Sequence, residues 1–176
     1  MNKLLRLKHW QLFIILTCMM IVSIFVAESG LKIGDFDSIQ LSIMVRVIGV
    51  IILFLWYLIL GLSLNNMTEN PYKFKPGLFV VAIIFCAFGY SNMNLQAIFS
   101  ENYIVPNFVS MLSTPLTLLG LIYVFYNLPI SLKSLETNRK VVFSDCVLDM
   151  ILLFAFPIGI WITQPRLNKL FMKKKN

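Results

Sequence analysis

Histidine, cysteine and charge are what this chain has least of. His9 is its single histidine, which excludes a histidine-rich intramembrane metal site. It stands beside Trp10 at the edge of an apolar run, an aromatic-belt position rather than a catalytic one. The three cysteines, Cys18, Cys86 and Cys146, each lie in or at the edge of an apolar run, and no pair has C-x-x-C spacing. They read as small buried apolar residues, not as a redox pair or metal ligands. H-E-x-x-H, G-x-S-x-G and a Walker loop are all absent, and the acids are too scattered for a metal-dependent phosphotransfer site. No catalytic, cofactor-binding or metal-ligating residue is assigned, and an enzyme ranks below the two functional readings given at the end of this subsection.

Charged residues make up 13% of the 176 positions, and hydrophobic residues 59%. A soluble domain carries about 25% charged and roughly 45–50% apolar residues. A chain this short has too little interior to hide the excess, so its apolar surface must face lipid. The formal charge is +7, from 15 Lys and Arg against 8 Asp and Glu. These charges sit between apolar runs and at both ends. That distribution suits anionic lipid headgroups and the control of topology, and argues against nucleic acid as a partner.

What the chain does have is five apolar runs, at about 10–27, 39–64, 77–90, 107–128 and 146–163. The fold expected is all-α, a single polytopic transmembrane bundle of four or five membrane-embedded helices. The first run is long for a signal sequence and has Phe25 where a cleavage site wants a small residue, so it reads as an uncleaved span. Gly30 and Gly34, in the link that follows, read as turn punctuation rather than a helix-packing motif. Pro71 and Pro76 end the second run. The third run, at fourteen residues, reaches only about 21 Å as a helix, which is short for a crossing. Pro115 predicts a kink in the fourth. Residues 129–145, PISLKSLETNRKVVFSD, predict a short amphipathic helix at the membrane surface, with Glu136 four residues before Lys140. The fifth run holds Pro157 and Gly159 near its middle, and a basic tail, 164–176, follows it.

Lysine and arginine concentrate on the cytoplasmic side of membrane proteins. With the N-terminus cytoplasmic, four crossings place Lys73 and Lys75, and then Lys133, Arg139 and Lys140, inside. The link at 28–38 is net acidic and falls outside, as does the link at 91–106, which has no basic residue. A fifth crossing would break this order by carrying Arg166, Lys169, Lys173, Lys174 and Lys175 outside. Three solutions stand: a full fifth span with an exceptional tail, a segment that enters, turns near Pro157-Ile158-Gly159 and returns, or a short third run that fails to cross, which would put residues 129–145 outside and the tail inside.

Two charges need an account. Asp149 follows Asp145 by four, so DCVLD places two carboxylates on one helix face. A cation or proton site is one reading; the other is a pair of acids favoured at a helix N-terminus, within reach of headgroup water. Arg46 precedes the most apolar part of the second run and either pairs with a link acid or snorkels to the interface.

Three stretches, LKHWQLF at 7–13, SLKSLETNRKVVFSD at 131–145 and FPIGIWITQPRLNKLF at 156–171, resemble an uncharacterised group of small bacterial polytopic membrane proteins. In that group a KHWQLF-like start and a PIGIWxxQPRxNK-like ending recur on one chain. The resemblance implies a bacterial inner membrane and a tail that is a working part of the protein. It supplies no activity.

The leading functional reading is a non-enzymatic integral membrane protein. On it, Arg139, Lys140 and the basic tail (Arg166, Lys169, Lys173, Lys174, Lys175) form a cytoplasmic surface for anionic lipid headgroups or for a protein partner, a second copy included. The runner-up is a small transporter or channel subunit that uses Arg46 and Asp149 within the bundle.

Overall fold

The computed structural model of the chain describes residues 9–34, 36–68, 73–98, 107–139, 141–155 and 158–173. Six helices follow in order: α1 (His9–Glu28), α2 (Ser38–Met67), α3 (Pro76–Ile98), α4 (Asn107–Thr137), α5 (Phe143–Phe154) and α6 (Ile158–Lys173). The expected all-α bundle is what the chain forms. Among the described residues the only β-type pairing is an isolated bridge between Ile33 and Phe36. Three helices, α2, α3 and α4, are long and apolar enough to cross a membrane. In α1 the apolar stretch Phe13–Glu28 is shorter, and α5 and α6 reach the required length only together.

Local chemistry sets the ends. The Asp37 carboxylate accepts from the Gln40 N–H at 2.8 Å, and the Gln40 side chain accepts from the Asp37 N–H at 3.1 Å. This reciprocal cap starts α2. In the link before it, Gly30 and Gly34 have φ of 65° and 62°, the left-handed turn conformation that glycine adopts freely. They punctuate turns, as the sequence indicated. Pro76 opens α3 at the position where its missing N–H is unneeded. Asn138, with φ 53°, ends α4 and donates its N–H to the Ser134 carbonyl.

Three boundaries differ from the sequence reading. First, α3 does not stop at Tyr90. Its 23 residues give about 34 Å of helix, enough for a crossing. The polar residues that hid this are used inside: Asn92 is buried beside Ser113 on α4, and the Asn94 amide donates to the Tyr90 carbonyl at 2.8 Å. Second, residues 129–137 are not a separate surface helix. They complete α4, which runs through both Pro115 and Pro129. Val124, Leu128, Leu132 and Leu135 follow one another at helical spacing and pack on a single core, so burial of that stripe outweighs the lost backbone bond at Pro129. Third, the run at 146–163 is two helices, and its polar end belongs to the second of them.

The core joins α2, α3 and α4. Trp56, Tyr57, Leu60, Phe79, Cys86 and Val124 are all buried within it. The Thr117 hydroxyl of α4 donates to the Phe85 carbonyl of α3 at 3.3 Å, and the Cys86 thiol donates to the Thr117 carbonyl. Cys86 and Cys146 are buried as expected, whereas Cys18 is exposed on α1. A single free thiol on an outward helix face costs little where the surroundings are apolar.

Helices α5 and α6 bend through 119° relative to each other. Gly159 sets the fold-back, because a Cβ there would overlap the Leu152 carbonyl of α5. The tip of this hairpin lies level with Tyr57, whose hydroxyl donates to the Leu153 carbonyl at 2.7 Å. Tyr57 also packs edge-on against Phe125 of α4, which meets Phe154 of α5 in the same way. Ten residues separate Tyr57 from the end of α2, about 15 Å of helix. The bond to Leu153 has a specific cause. In a continuous helix the Leu153 carbonyl would accept from residue 157, but Pro157 has no N–H. Tyr57 supplies the missing donor. Changing Tyr57→Phe keeps the ring and removes only that donor. The expected loss is about 1–3 kcal/mol, the cost of an unpaired buried carbonyl, measured by denaturant titration in detergent micelles.

Candidate functional site

Helix α6 packs against the bundle through one stripe. Ile160, Thr163, Gln164 and Leu167, at spacings of three, one and three, are all buried. Trp161 and Ile162 face outward, and Trp161 meets Phe13 of α1 edge-on at 5.3 Å. The segment beginning at Gln164 is therefore not a free tail: it is helical as far as Lys173.

This docking carries Arg166 into a cluster of opposite charges. Its Nε and Nη2 donate to the two Glu136 carboxylate oxygens at 2.6 and 2.5 Å. Its Nη1 and Nη2 donate to the two Asp149 oxygens at 2.5 and 3.2 Å. One guanidinium thus holds two carboxylates in paired, fork-like fashion, the geometry for which arginine is suited and lysine is not. Lys133 stands 3.9 Å from Asp149. The Asp149 side chain is only 4% exposed, against 21% for Glu136 and 25% for Arg166. The cluster therefore grades from a dry floor at Asp149 to a wet rim.

Three elements meet here. Glu136 is at the end of α4, Asp149 is in the second turn of α5, and Arg166 is midway along α6. Asp149 lies eight residues before Pro157 and Arg166 eight residues after Ile158 in the sequence, so the bend between α5 and α6 brings them opposite each other. The fold-back is thereby fixed at both ends, by Gly159 near the tip and by Arg166 at the base.

The remaining sequence candidates separate. The Asp145 carboxylate accepts from the Val142 N–H at 3.4 Å in the first turn of α5, and Arg139 lies 3.8 Å from it. That agrees with an acid favoured at a helix N-terminus. Asp149 does not share that role. It sits neither in headgroup water nor open to a cation, because Arg166 and Lys133 already neutralise it. Arg46 is exposed on α2, eleven residues before Tyr57, whereas Asp149 lies beyond Leu153 toward the other end. About 20 Å of helix rise separates the two, so they do not form one site. Lys169 is exposed on α6. Lys173 is the last residue of α6, while Lys140, Lys174 and Lys175 lie outside the described residues. Among the described residues no group of three or more His, Cys, Asp or Glu could hold a metal ion.

Comparison with protein-family models, curated proteins and solved structures finds no match.

Glu136 and Lys133 are the participants the sequence reading missed. Glu136 looked like a helical partner for Lys140, and Lys133 like one more surface cation. The available signal was the mirror placement of Asp149 and Arg166 about the Pro157-Ile158 step.

The cluster also decides which charges remain free at this end. Among the described residues the three acids at this end, Glu136, Asp145 and Asp149, are engaged by Arg166, Lys133 and Arg139. Lys73 and Lys75, just before α3, and Lys169 on α6 are exposed and enter no described ion pair. Among the described residues, the unpaired charges at this end are positive.

Proposed function

We propose that the chain is a non-enzymatic multi-pass membrane protein whose positive end is a cytoplasmic docking face. The ion cluster carries this reading. By returning α6 to the end where α4 stops and α5 starts, it gathers the basic residues of three segments on one side. The link at the other end contributes Glu28 and Asp37 against Lys32. This asymmetry supports a cytoplasmic N-terminus and a cytoplasmic tail, since basic segments stay inside. It also removes the anomaly that a fifth crossing would create. The bacterial inner membrane implied by the sequence resemblance fits the same arrangement.

Lys73, Lys75 and Lys169 lie at headgroup level, where each contributes about 1 kcal/mol of attraction to an anionic surface. An acidic segment of a cytoplasmic partner, seated beside anionic headgroups, is the ligand that such a face suits. The transporter reading loses its main support, because Asp149 is internally neutralised and stands apart from Arg46.

Sidedness has a direct test. A cytoplasmic fluorescent protein fused after Asn176 should fluoresce, and alkaline phosphatase fused at the same point should be inactive. An active phosphatase together with a cytoplasmic N-terminus would eliminate the returning hairpin. The docking role is checked by crosslinking in intact membranes: changing Lys73, Lys75 and Lys169 together to Gln should abolish crosslinks to the partner. Crosslinks that survive the triple change would exclude this face.

A further inference from the structure

A second feature lies away from the charged cluster. Helices α1 and α2 enclose a groove of about 360 Å³, lined by Met19, Met20 and Ile24 of α1 and by Val50 and Leu53 of α2. Arg46 is the one charged residue among those lining it. The Ser23 hydroxyl, also on the wall, is committed to the Met20 carbonyl at 2.7 Å. Arg46 is exposed, and among the described residues no carboxylate forms an ion pair with it. An apolar channel with a lone guanidinium is a two-part recognition element.

We propose that this groove binds one anionic phospholipid, its phosphate on Arg46 and one acyl chain along Met19, Met20, Val50 and Leu53. Depth supports that occupant. The 30 residues of α2 extend about 45 Å, some 15 Å beyond an apolar layer of about 30 Å. Arg46 is eight residues, about 12 Å, from the start of the helix. With the excess shared between the two ends, its Cα lies a few ångström inside the apolar boundary. A long side chain at that depth snorkels outward, which brings the guanidinium to the level of lipid phosphates. An arginine left in the apolar layer without a partner costs roughly 2.5–3.5 kcal/mol on insertion scales, and a phosphate held by paired hydrogen bonds offsets it. The groove's volume falls within the range of ligand pockets, about 300–1,000 Å³, at its lower end. That is space for one chain, not for a packed helix.

The test places the full-length protein in phosphatidylcholine nanodiscs containing a small fraction of phosphatidylglycerol with a photoactivatable acyl chain. Adducts are mapped by peptide mass spectrometry. Labelling should concentrate on the peptides holding Met19, Met20, Ile24 and Leu53. Excess unlabelled phosphatidylglycerol should compete, whereas diacylglycerol and inorganic phosphate should not. Arg46→Gln should reduce labelling there roughly tenfold, the equivalent of one charge-assisted contact, and Arg46→Lys should retain most of it. Unchanged burial of Cys146 toward maleimide verifies that the variants are folded. Equal labelling by a phosphatidylcholine probe, undiminished labelling in Arg46→Gln, or crosslinks showing a second copy of the chain in the groove would each overturn the assignment.

Discussion

Replacing Arg166 by methionine should destabilise the folded protein by about 3 kcal/mol or more, the largest loss expected from any single side chain at the charged end. The substitution leaves the apolar stem nearly intact, so the loss comes from charge. Asp149 is 2% exposed and would keep only Lys133, at 3.9 Å. A buried carboxylate that loses its main partner typically costs about 3–5 kcal/mol. Partial exposure of Glu136 moves the expectation toward the lower end. Adding Asp149→Leu to Arg166→Met should recover much of the loss, because removing both partners of a buried pair is often nearly neutral. A double-mutant cycle by denaturant titration in micelles should therefore show strong non-additivity between positions 149 and 166. Additive effects would mean that the pair is not formed in the membrane, and the returning α6 would lose its anchor.

Changing Gly159→Ala should have a comparable effect from a single added methyl group. The Cβ would overlap the Leu152 carbonyl, and backbone, unlike a flexible side-chain end, has no rotamer to move to. The two helices must separate, and overpacking of this kind costs about 1–3 kcal/mol or more. Separation strains the Asp149–Arg166 pair and loosens α5 from the bundle. Cys146 on α5 is fully buried and provides the readout. In a background carrying Cys18→Ser and Cys86→Ser, its maleimide labelling should accelerate at least roughly tenfold, as an opening equilibrium shifted by more than about 1.4 kcal/mol requires. Labelling as slow as in the parent would show that α5 and α6 do not pack as described.

Both variants probe the feature the sequence left open. Pro157 and Gly159 marked a break, and the basic residues after it made an exterior tail costly. Neither fact excluded a fifth span, because proline occurs in spanning helices and charge bias is a tendency. The choice rests on contacts between residues distant along the chain: Tyr57 with Leu153, Glu136 with Arg166, and Gly159 against Leu152. Such contacts leave little trace in a local pattern. Tyr57 looked like one more aromatic residue in an apolar run, although its hydroxyl replaces the N–H that Pro157 lacks. Arg166 resembled the other tail cations, yet it is turned inward to Glu136 and Asp149, whereas Lys169 is exposed.

Polarity misled the reading in two further places. Ser91, Asn92 and Asn94 resembled the start of a loop, and residues 129–137 resembled a surface helix. Both stretches extend spanning helices. A helix interface inside a membrane tolerates small polar side chains, since they can bond across to a neighbour or back to their own backbone. Such residues therefore break the apolar pattern without breaking the helix.

By itself the sequence determined the helical class, an apolar excess that suits a membrane, and the approximate positions of α1 to α4. Those depend on composition and on runs of apolar residues, which act locally and additively. Only the tertiary structure decided that the last apolar run folds back, that Asp149 is paired with Arg166, and that Arg46 lines a groove between α1 and α2 with no ion-pair partner among the described residues. Those outcomes depend on which side chains meet across the bundle. One hydrogen bond or one paired charge at membrane depth outweighs the weak local preference for continuing straight.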